Sequence, residues 1–229
     1  MYKGIIFDFN GTLFFDSEKH YEAWREYSAK LRGSAFTDDE MRKYMFGRTN
    51  EDIIAYAIGK KPSKEMVDKL AKEKEAVYRD MCRADKENTV LAPGAVNLLN
   101  YLTEKNIPHT IATMSEKDNV DFFIEEFKLA QWFDINKIVY ADGTLPGKPA
   151  PDIYIKAAEK LGLKPEECIV VEDAISGIEA AKSAGIGKII AIASMESKDL
   201  YKNIPAVSQI IENFDQIDRN IFETPCLKN

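Results

Sequence analysis

Acidic side chains follow apolar, strand-like runs at two separated points of the chain. The first run ends in Asp8, which an Asn-Gly turn soon follows, and a later run leads directly into Glu172 and Asp173. Open α/β sheets bind their ligands outside the carboxyl ends of their strands, so acids at two such ends can share one site. Carboxylate oxygens are the ligands that a hard divalent cation prefers. The spacing therefore indicates a possible metal site.

Hydroxyls and a lysine stand at two further positions of the same kind. Thr113 and Ser115 follow another apolar run, and Lys148 lies in a loop rich in Gly and Pro. Taken singly, each has a simpler interpretation: the hydroxyls and the acids could cap helices, and the lysine could be a solvated charge. Because all of them fall at successive strand ends, we favour one shared site that handles a phosphate beside a metal.

The bulk composition is that of an ordinary water-soluble globular protein. The chain has 229 residues, of which 45% are hydrophobic and 30% charged, and its net charge is −7. No run of Lys or Arg forms a basic stripe, which argues against nucleic acid or an acidic membrane surface as the main partner. The sequence shows no leader and no apolar run of about 20 residues, so we expect a cytoplasmic protein. The three cysteines have no metal-like spacing.

The periodicity of the chain predicts two domains. Helical spacing without a strand-like run extends from residue 17 to residue 86, whereas strands and helices alternate afterwards. Such alternation is typical of an α/β fold with a doubly wound parallel sheet. We predict an α/β core domain over residues 1–15 and 88–229, with an inserted all-helical cap domain over residues 16–87.

Several boundaries can be predicted from capping residues. Ser17 and Ser115 each precede a helical pattern and are predicted N-caps, with a strand over residues 108–113 ahead of the second. Thr37 followed three residues later by Glu40 predicts a capping box.

The motifs, in this order, resemble the haloacid dehalogenase-like hydrolases, and within them the branch of β-phosphoglucomutase and small sugar phosphatases. The resemblance covers nearly the whole chain. It is carried by three stretches, Phe7-Asp8-Phe9-Asn10-Gly11-Thr12-Leu13, Gly147-Lys148-Pro149-Ala150-Pro151-Asp152 and Val171-Glu172-Asp173-Ala174 with Gly177. In the helical stretch, Asp16-Ser17-Glu18 followed by His20, Ala23 and Trp24 is also similar.

This resemblance implies phosphoryl chemistry with Mg²⁺ as the cofactor. Asp8 and Asp173 would be metal ligands together with the backbone carbonyl of Asn10, and Glu172 would lie close to the metal. Asp8 would also be the nucleophile that attacks phosphorus and forms an aspartyl-phosphate.

The implied catalytic set is completed by Lys148 and Thr113. Lys148 would offset the charge of Asp8 and of the phosphoryl oxygens, and Thr113 would donate a hydrogen bond to those oxygens. The implied partner is a small phosphorylated metabolite, a sugar phosphate, and we expect a monomer.

Substrate contacts are predicted at His20, Trp24, Arg48 and Ser115. His20 and Trp24 share one helical face, so packing of the cap helix explains them equally well. Arg48 stands beside a helix start, where it could hold a substrate anion or simply be solvated.

Asn10 departs from the resembled pattern, which has an aspartate there as general acid–base. Asn cannot exchange a proton near neutral pH, so turnover should fall by roughly 10²–10⁴ while binding survives. Three explanations stay open: His20 or water supplies the proton, the residue is an engineered trap, or the protein binds a phosphorylated ligand with little turnover. Haloacid dehalogenase activity is a further alternative, which the paired acids at 172 and 173 disfavour.

Overall fold

The computed structural model describes residues 1–45, 48–194 and 197–222, which divide into two units. One unit combines Met1–Phe15 with the chain from Val90 onward, and the other is Asp16–Thr89. We predicted that the core domain resumes at residue 88, and in the structure the helical unit ends at Thr89.

Six strands of the first unit form a parallel sheet. They are β1 (Gly4–Phe7), β2 (His109–Glu116), β3 (Val139–Ala141), β4 (Cys168–Glu172), β5 (Lys188–Ile192) and β6 (Val207–Ile211). Their order is β3-β2-β1-β4-β5-β6, and every residue of β1 and β4 is buried. Strands buried on both faces are expected to be continuously apolar, which is the pattern of residues 5–7 and 168–171.

The strand order has its topological switch point between β1 and β4, the position where doubly wound sheets bind ligands. Phe7 of β1 pairs with Val171 of β4. The next residue of each strand is an acid, so Asp8 and Glu172 leave the sheet side by side. The predicted α/β fold with a doubly wound parallel sheet is confirmed.

Within its described residues, this unit contains four α-helices. They are α5 (Ala95–Glu104), α6 (Lys117–Glu126), α7 (Asp152–Leu161) and α8 (Ile175–Ser183). The prediction that Ser115 caps a helix was wrong. β2 extends to Glu116, which is the N-cap of α6, because the Ser115 hydroxyl is used in a long-range contact described below.

The second unit is all-helical, as predicted, and lies in the chain between β1 and α5. Its helices are α1 (Ser17–Arg32), α2 (Asp38–Tyr44), α3 (Asn50–Ile58) and α4 (Lys64–Ala84). The capping box of Thr37 and Glu40 is present. The N-cap of α1 is Asp16 and not Ser17, and the Asp16 carboxylate accepts a hydrogen bond from the Tyr78 hydroxyl.

No helix within the described ranges is both long enough and apolar enough to cross a membrane.

Candidate active site

Asp8 and Lys148 form the centre of the candidate site. Asp8 follows β1 and is 7% exposed. The Lys148 ammonium lies 2.6 Å from Asp8 Oδ1 and also donates to Glu172 Oε1. Burial opposes the charged form of Lys148, but the two carboxylates outweigh it and raise the pKa of Lys148 well above its usual range. The lysine therefore stays a cation that joins the ends of β1 and β4.

Glu172 is completely buried and accepts hydrogen bonds at both of its oxygens. The Tyr154 hydroxyl lies 2.8 Å from Oε1, and the backbone N–H of Ala174 lies 2.9 Å from Oε2. A Cβ atom at Gly177 would stand 1.7 Å from Oε1, so only glycine leaves room for this carboxylate. Glu172 thus fixes the position of Lys148, in addition to lying beside the other acids.

Three carboxylates converge at this edge of the sheet. Oxygens of Asp8, Glu172 and Asp173 lie within 4.8 Å of one another. Burial raises the pKa of Asp173 well above its usual range, and the neighbouring charges of Glu172 and Asp8 raise it further. The cluster holds more negative charge than one ammonium can balance. Its donor set of carboxylate oxygens fits a hard divalent cation such as Mg²⁺.

Asp173 is oriented by contacts to its side chain and its backbone. Its Oδ1 accepts a 2.9 Å hydrogen bond from the Thr12 hydroxyl, and its backbone carbonyl accepts one of 2.7 Å from the Tyr201 hydroxyl. Gly11 has a φ of +74°, and a Cβ there would lie 2.2 Å from the Asp173 carboxylate. The turn after β1 therefore requires glycine both for its left-handed conformation and for space.

The predicted residues Asn10, Thr113 and Ser115 meet in one hydrogen-bonded group. The Ser115 hydroxyl donates to the carboxamide oxygen of Asn10 over 2.6 Å. The backbone N–H of Ser115 donates to the hydroxyl of Thr113 over 3.1 Å, and Thr113 is 2% exposed. The end of β2 is thereby tied to the turn that follows Asp8.

The remaining predicted residues belong to the helical unit. His20 stacks on Tyr78 with ring centroids 4.0 Å apart, and its Nδ1 lies 3.0 Å from the ammonium of the buried Lys74. Trp24 is 4% exposed and packs in the apolar core of this unit, which favours the packing interpretation. Arg48 is exposed and directly precedes Thr49, the N-cap of α3.

Sequence reasoning missed the two tyrosines that contact the paired acids. Tyr154 lies on the buried face of α7 and Tyr201 packs in the core beside the sheet. Both therefore look like ordinary core residues in the sequence, which carries no signal for the partners of their hydroxyls. Lys74 was missed for the opposite reason, because lysine in a charged helix is normally solvent-exposed.

Comparison with known proteins agrees with this geometry. Residues 2–185 match the family model of haloacid dehalogenase-like hydrolases. The "Phosphorylated carbohydrates phosphatase" of Thermotoga maritima is 33% identical over 193 residues, which cover 83% of this chain and 85% of that protein. The "Validoxylamine A 7'-phosphate phosphatase" of Streptomyces hygroscopicus is 32% identical over 186 residues, which cover 81% and 84%.

A solved structure is similar over nearly the whole chain. It is a family IA, variant 3 HAD hydrolase from Entamoeba histolytica, with 43% identity, a TM-score of 0.90 and coverage of 95% of this chain and 96% of that one. The motif order, the sheet topology and these matches lead to one assignment: this chain belongs to the haloacid dehalogenase-like hydrolases.

Proposed function

We propose that this protein is an Mg²⁺-dependent phosphatase or phosphotransferase that acts on a small sugar phosphate through an aspartyl-phosphate on Asp8. The observation that carries the proposal is the convergence of Asp8, Lys148 and Asp173 at the switch point of the sheet. The relative from Thermotoga maritima is named a phosphatase of phosphorylated carbohydrates, and this name supports the substrate class.

The nucleophile in this proposal is the carboxylate of Asp8. It attacks phosphorus, and the ester oxygen leaves on the opposite side. Lys148 offsets the charge that builds up on the phosphoryl oxygens, and Thr113 donates a hydrogen bond to them. The main role of Glu172 is to hold Lys148 in position through their direct hydrogen bond.

The residues that would hold a metal are Asp8, Asp173 and the backbone carbonyl of Asn10, with Glu172 beside them. When bound, Mg²⁺ neutralises phosphoryl charge that would otherwise repel the nucleophile. Tyr201 and Thr12 restrict the backbone and the carboxylate of Asp173, respectively. This restriction prepares Asp173 for a ligand role before any cation arrives.

Asn10 lowers the turnover of this machinery in our proposal. Its carboxamide oxygen already accepts a hydrogen bond from Ser115, and an amide neither gives nor takes a proton near neutral pH. Protonation of the leaving oxygen and activation of the attacking hydroxyl are therefore unassisted at this position.

The helical unit serves as a cap that selects the substrate. His20 and Arg48 are its proposed contact residues, and Ser115 is a contact residue from the core. Trp24 is left out of this set, because its burial in the core of the helical unit explains its presence.

A panel of sugar phosphates assayed with Mg²⁺ tests the proposal. Phosphate release should be slow in the wild type and should rise by roughly 10²–10⁴ in Asn10→Asp. It should be absent from the Asp8→Asn, Asn10→Asp double variant. Failure of Asn10→Asp to hydrolyse any member of the panel would contradict the proposal.

A second candidate function follows from Asn10 itself. A protein without acid–base assistance can bind a phosphorylated ligand without turning it over. Such a protein would be stabilised by a ligand that binds only the folded state. Thermal stabilisation by a sugar phosphate, with no phosphate release from the wild type or from Asn10→Asp, would favour this binder.

A further inference from the structure

The helical unit contains a groove with an apolar floor. The floor is formed by side chains of three helices: Leu31 of α1, Ala57 and Ile58 of α3, and Met66 and Leu70 of α4. All of these except Met66 belong to the apolar core of the unit or pack against it, and Met66 is 37% exposed. The groove has a volume of about 670 Å³, within the range of about 300–1,000 Å³ that is usual for ligand pockets. This helical-unit groove therefore has the size and the lining of a small-molecule site.

Basic side chains dominate the rim of the helical-unit groove. Lys60, in the loop before α4, and Lys69 of α4 line the groove together with the acid Glu65. Arg32 also lines it, and the charge of this arginine is already taken up by an ion pair within the unit. The segment 60–72 carries five lysines and two acids, in a chain whose net charge is −7. The groove thus lies beside a locally positive part of an acidic protein, and such a surface attracts anions.

The two rim lysines retain charge that a ligand can use. The Lys69 ammonium lies 4.0 Å from the Glu73 carboxylate, and the Lys69 side chain is 73% exposed, so this ion pair is solvated and weak. Among the residues that the structure describes, no acidic side chain lies within ion-pair distance of Lys60. Both ammonium groups can therefore donate charge-assisted hydrogen bonds to the carboxylate of a ligand.

We propose that the helical-unit groove binds a small amphipathic carboxylate of the fatty-acid type. The hydrocarbon chain covers the apolar floor, and the carboxylate lies at the rim with Lys60 and Lys69. A sugar phosphate does not fit this groove, because its hydroxyls would face an apolar floor that offers them no hydrogen bonds. All the lining residues belong to the helical unit, so the inference does not depend on the chemistry proposed for Asp8.

The two parts of such a ligand contribute to affinity in separable ways. Each methylene group that the floor buries tightens binding by up to about fourfold. Each exposed pairing of the carboxylate with a rim lysine contributes roughly 1.4–5-fold. Chain length therefore tests the floor, and the sign of the charge on the head group tests the rim.

The test is a titration of the full chain with octanoate, followed by the amide signals in NMR spectra. Signals of residues 57–70 should shift and saturate, with a Kd of roughly 0.1–1 mM for so small a ligand. Hexanoate, which is two methylenes shorter, should bind roughly 4–15-fold more weakly. Octylammonium has the same chain with a cationic head, and it should bind at least about twofold more weakly than octanoate.

Two pairs of variants separate the groove from the rest of the surface. Lys60→Gln should weaken octanoate binding by roughly 1.4–5-fold, whereas Lys72→Gln, at an exposed position of α4 that does not line the groove, should not change it. Met66→Asp places a charge in the apolar floor and should abolish saturable binding. Val96→Asp makes a similar change at a position of α5 that is 43% exposed, and it should leave the affinity unchanged.

Several results would overturn the inference. They are the absence of saturable shifts at residues 57–70, equal binding of octanoate and octylammonium, and full octanoate affinity in a folded Met66→Asp variant. If Met66→Asp does not fold, an unchanged octanoate affinity in Lys60→Gln has the same meaning. A dimer in sedimentation that Met66→Asp dissociates and octanoate does not would also overturn it, because a second copy of the chain would then fill the groove.

Discussion

The Ser115 hydroxyl donates a 2.6 Å hydrogen bond to the carboxamide oxygen of Asn10. The contact joins the end of β2 to the turn after β1, so it fixes both the sheet edge and the orientation of the amide. A neutral hydrogen bond of this kind contributes about 0.5–1.5 kcal/mol to stability.

A double-mutant cycle measures this contact. We expect Ser115→Ala and Asn10→Ala to be coupled by about 0.5–1.5 kcal/mol in urea unfolding, because each removes the other's partner. Ser208→Ala, on an exposed position of β6, should show no coupling to Asn10→Ala. Additive effects of the first pair would mean that the hydrogen bond does not contribute to stability.

The pKa of Asp173 predicts how the metal-free protein responds to pH. A carboxyl group with a raised pKa keeps its proton in the folded state at a pH where the unfolded chain has lost it. The stability of the fold therefore falls as pH rises from about 4 toward the raised pKa. Asp173→Asn removes this loss of stability and keeps an oxygen that can accept the hydrogen bond from the Thr12 hydroxyl.

We accordingly expect Asp173→Asn, in EDTA at pH 7, to have a Tm roughly 2–4 °C above that of the wild type, the shift that about 1 kcal/mol produces in a chain of this size. Mg²⁺ should raise the Tm of the wild type and not that of the variant. A lower Tm for the variant in EDTA would show that burial and the neighbouring carboxylates do not disfavour the charged form of Asp173 in the folded protein.

Tyr201 should influence the affinity for Mg²⁺ without contacting the cation. Its hydroxyl holds the backbone carbonyl of Asp173, and loss of one hydrogen bond of about 0.5–1.5 kcal/mol corresponds to a change of roughly 2–12-fold. Tyr201→Phe should raise the Mg²⁺ concentration for half-maximal thermal stabilisation by that factor.

Tyr27→Phe provides the matched comparison. Tyr27 is buried in the helical unit, and its hydroxyl donates over 2.8 Å to Glu73, so this variant also loses one hydrogen bond. It should lower stability and leave the Mg²⁺ dependence unchanged. Identical Mg²⁺ dependences for both tyrosine variants would refute a positioning role for Tyr201.

Gly177 should tolerate no side chain. The Cβ of Gly177→Ala would stand 1.7 Å from Glu172, so the carboxylate that holds Lys148 must move. We expect a loss of about 1–3 kcal/mol in stability and at least roughly a tenfold loss of phosphatase activity in the Asn10→Asp background. Ser176→Ala, at an exposed position of the same helix, should change neither, and a fully active Gly177→Ala would exclude the proposed role of Glu172.

The fold and the acids at its edge could be predicted because their signals are local. Residues 5–7 and 168–171 are apolar runs that end in acids, and parallel strands bring such ends together whatever the details of packing. Thr37 and Glu40 lie three residues apart, so their capping box is also a local feature. These predictions needed only periodicity and the chemistry of turns.

The contacts that the sequence did not predict all join residues that are far apart along the chain. Ser115 and Asn10 are separated by 105 positions, and nothing near Ser115 distinguishes a helix cap from a donor to another strand end. Tyr154 and Tyr201 fit a core pattern in the sequence, and their rings do pack in the core. The partners of their hydroxyls depend on the fold and have no signal in the sequence. Trp24 shares a helical face with His20, a pattern that fits a substrate contact and a packing residue equally well, and its burial in the core of the helical unit favours packing.

The central claim is that Asp8 accepts the phosphoryl group, and the mass of the protein tests it most directly. The wild type, quenched in acid soon after mixing with Mg²⁺ and acetyl phosphate, should gain the mass of one phosphoryl group. Peptide mapping should place this group on Asp8, and Asp8→Asn should gain nothing. An unmodified Asp8 during steady release of phosphate, or a phosphoryl group on another residue, would contradict the account.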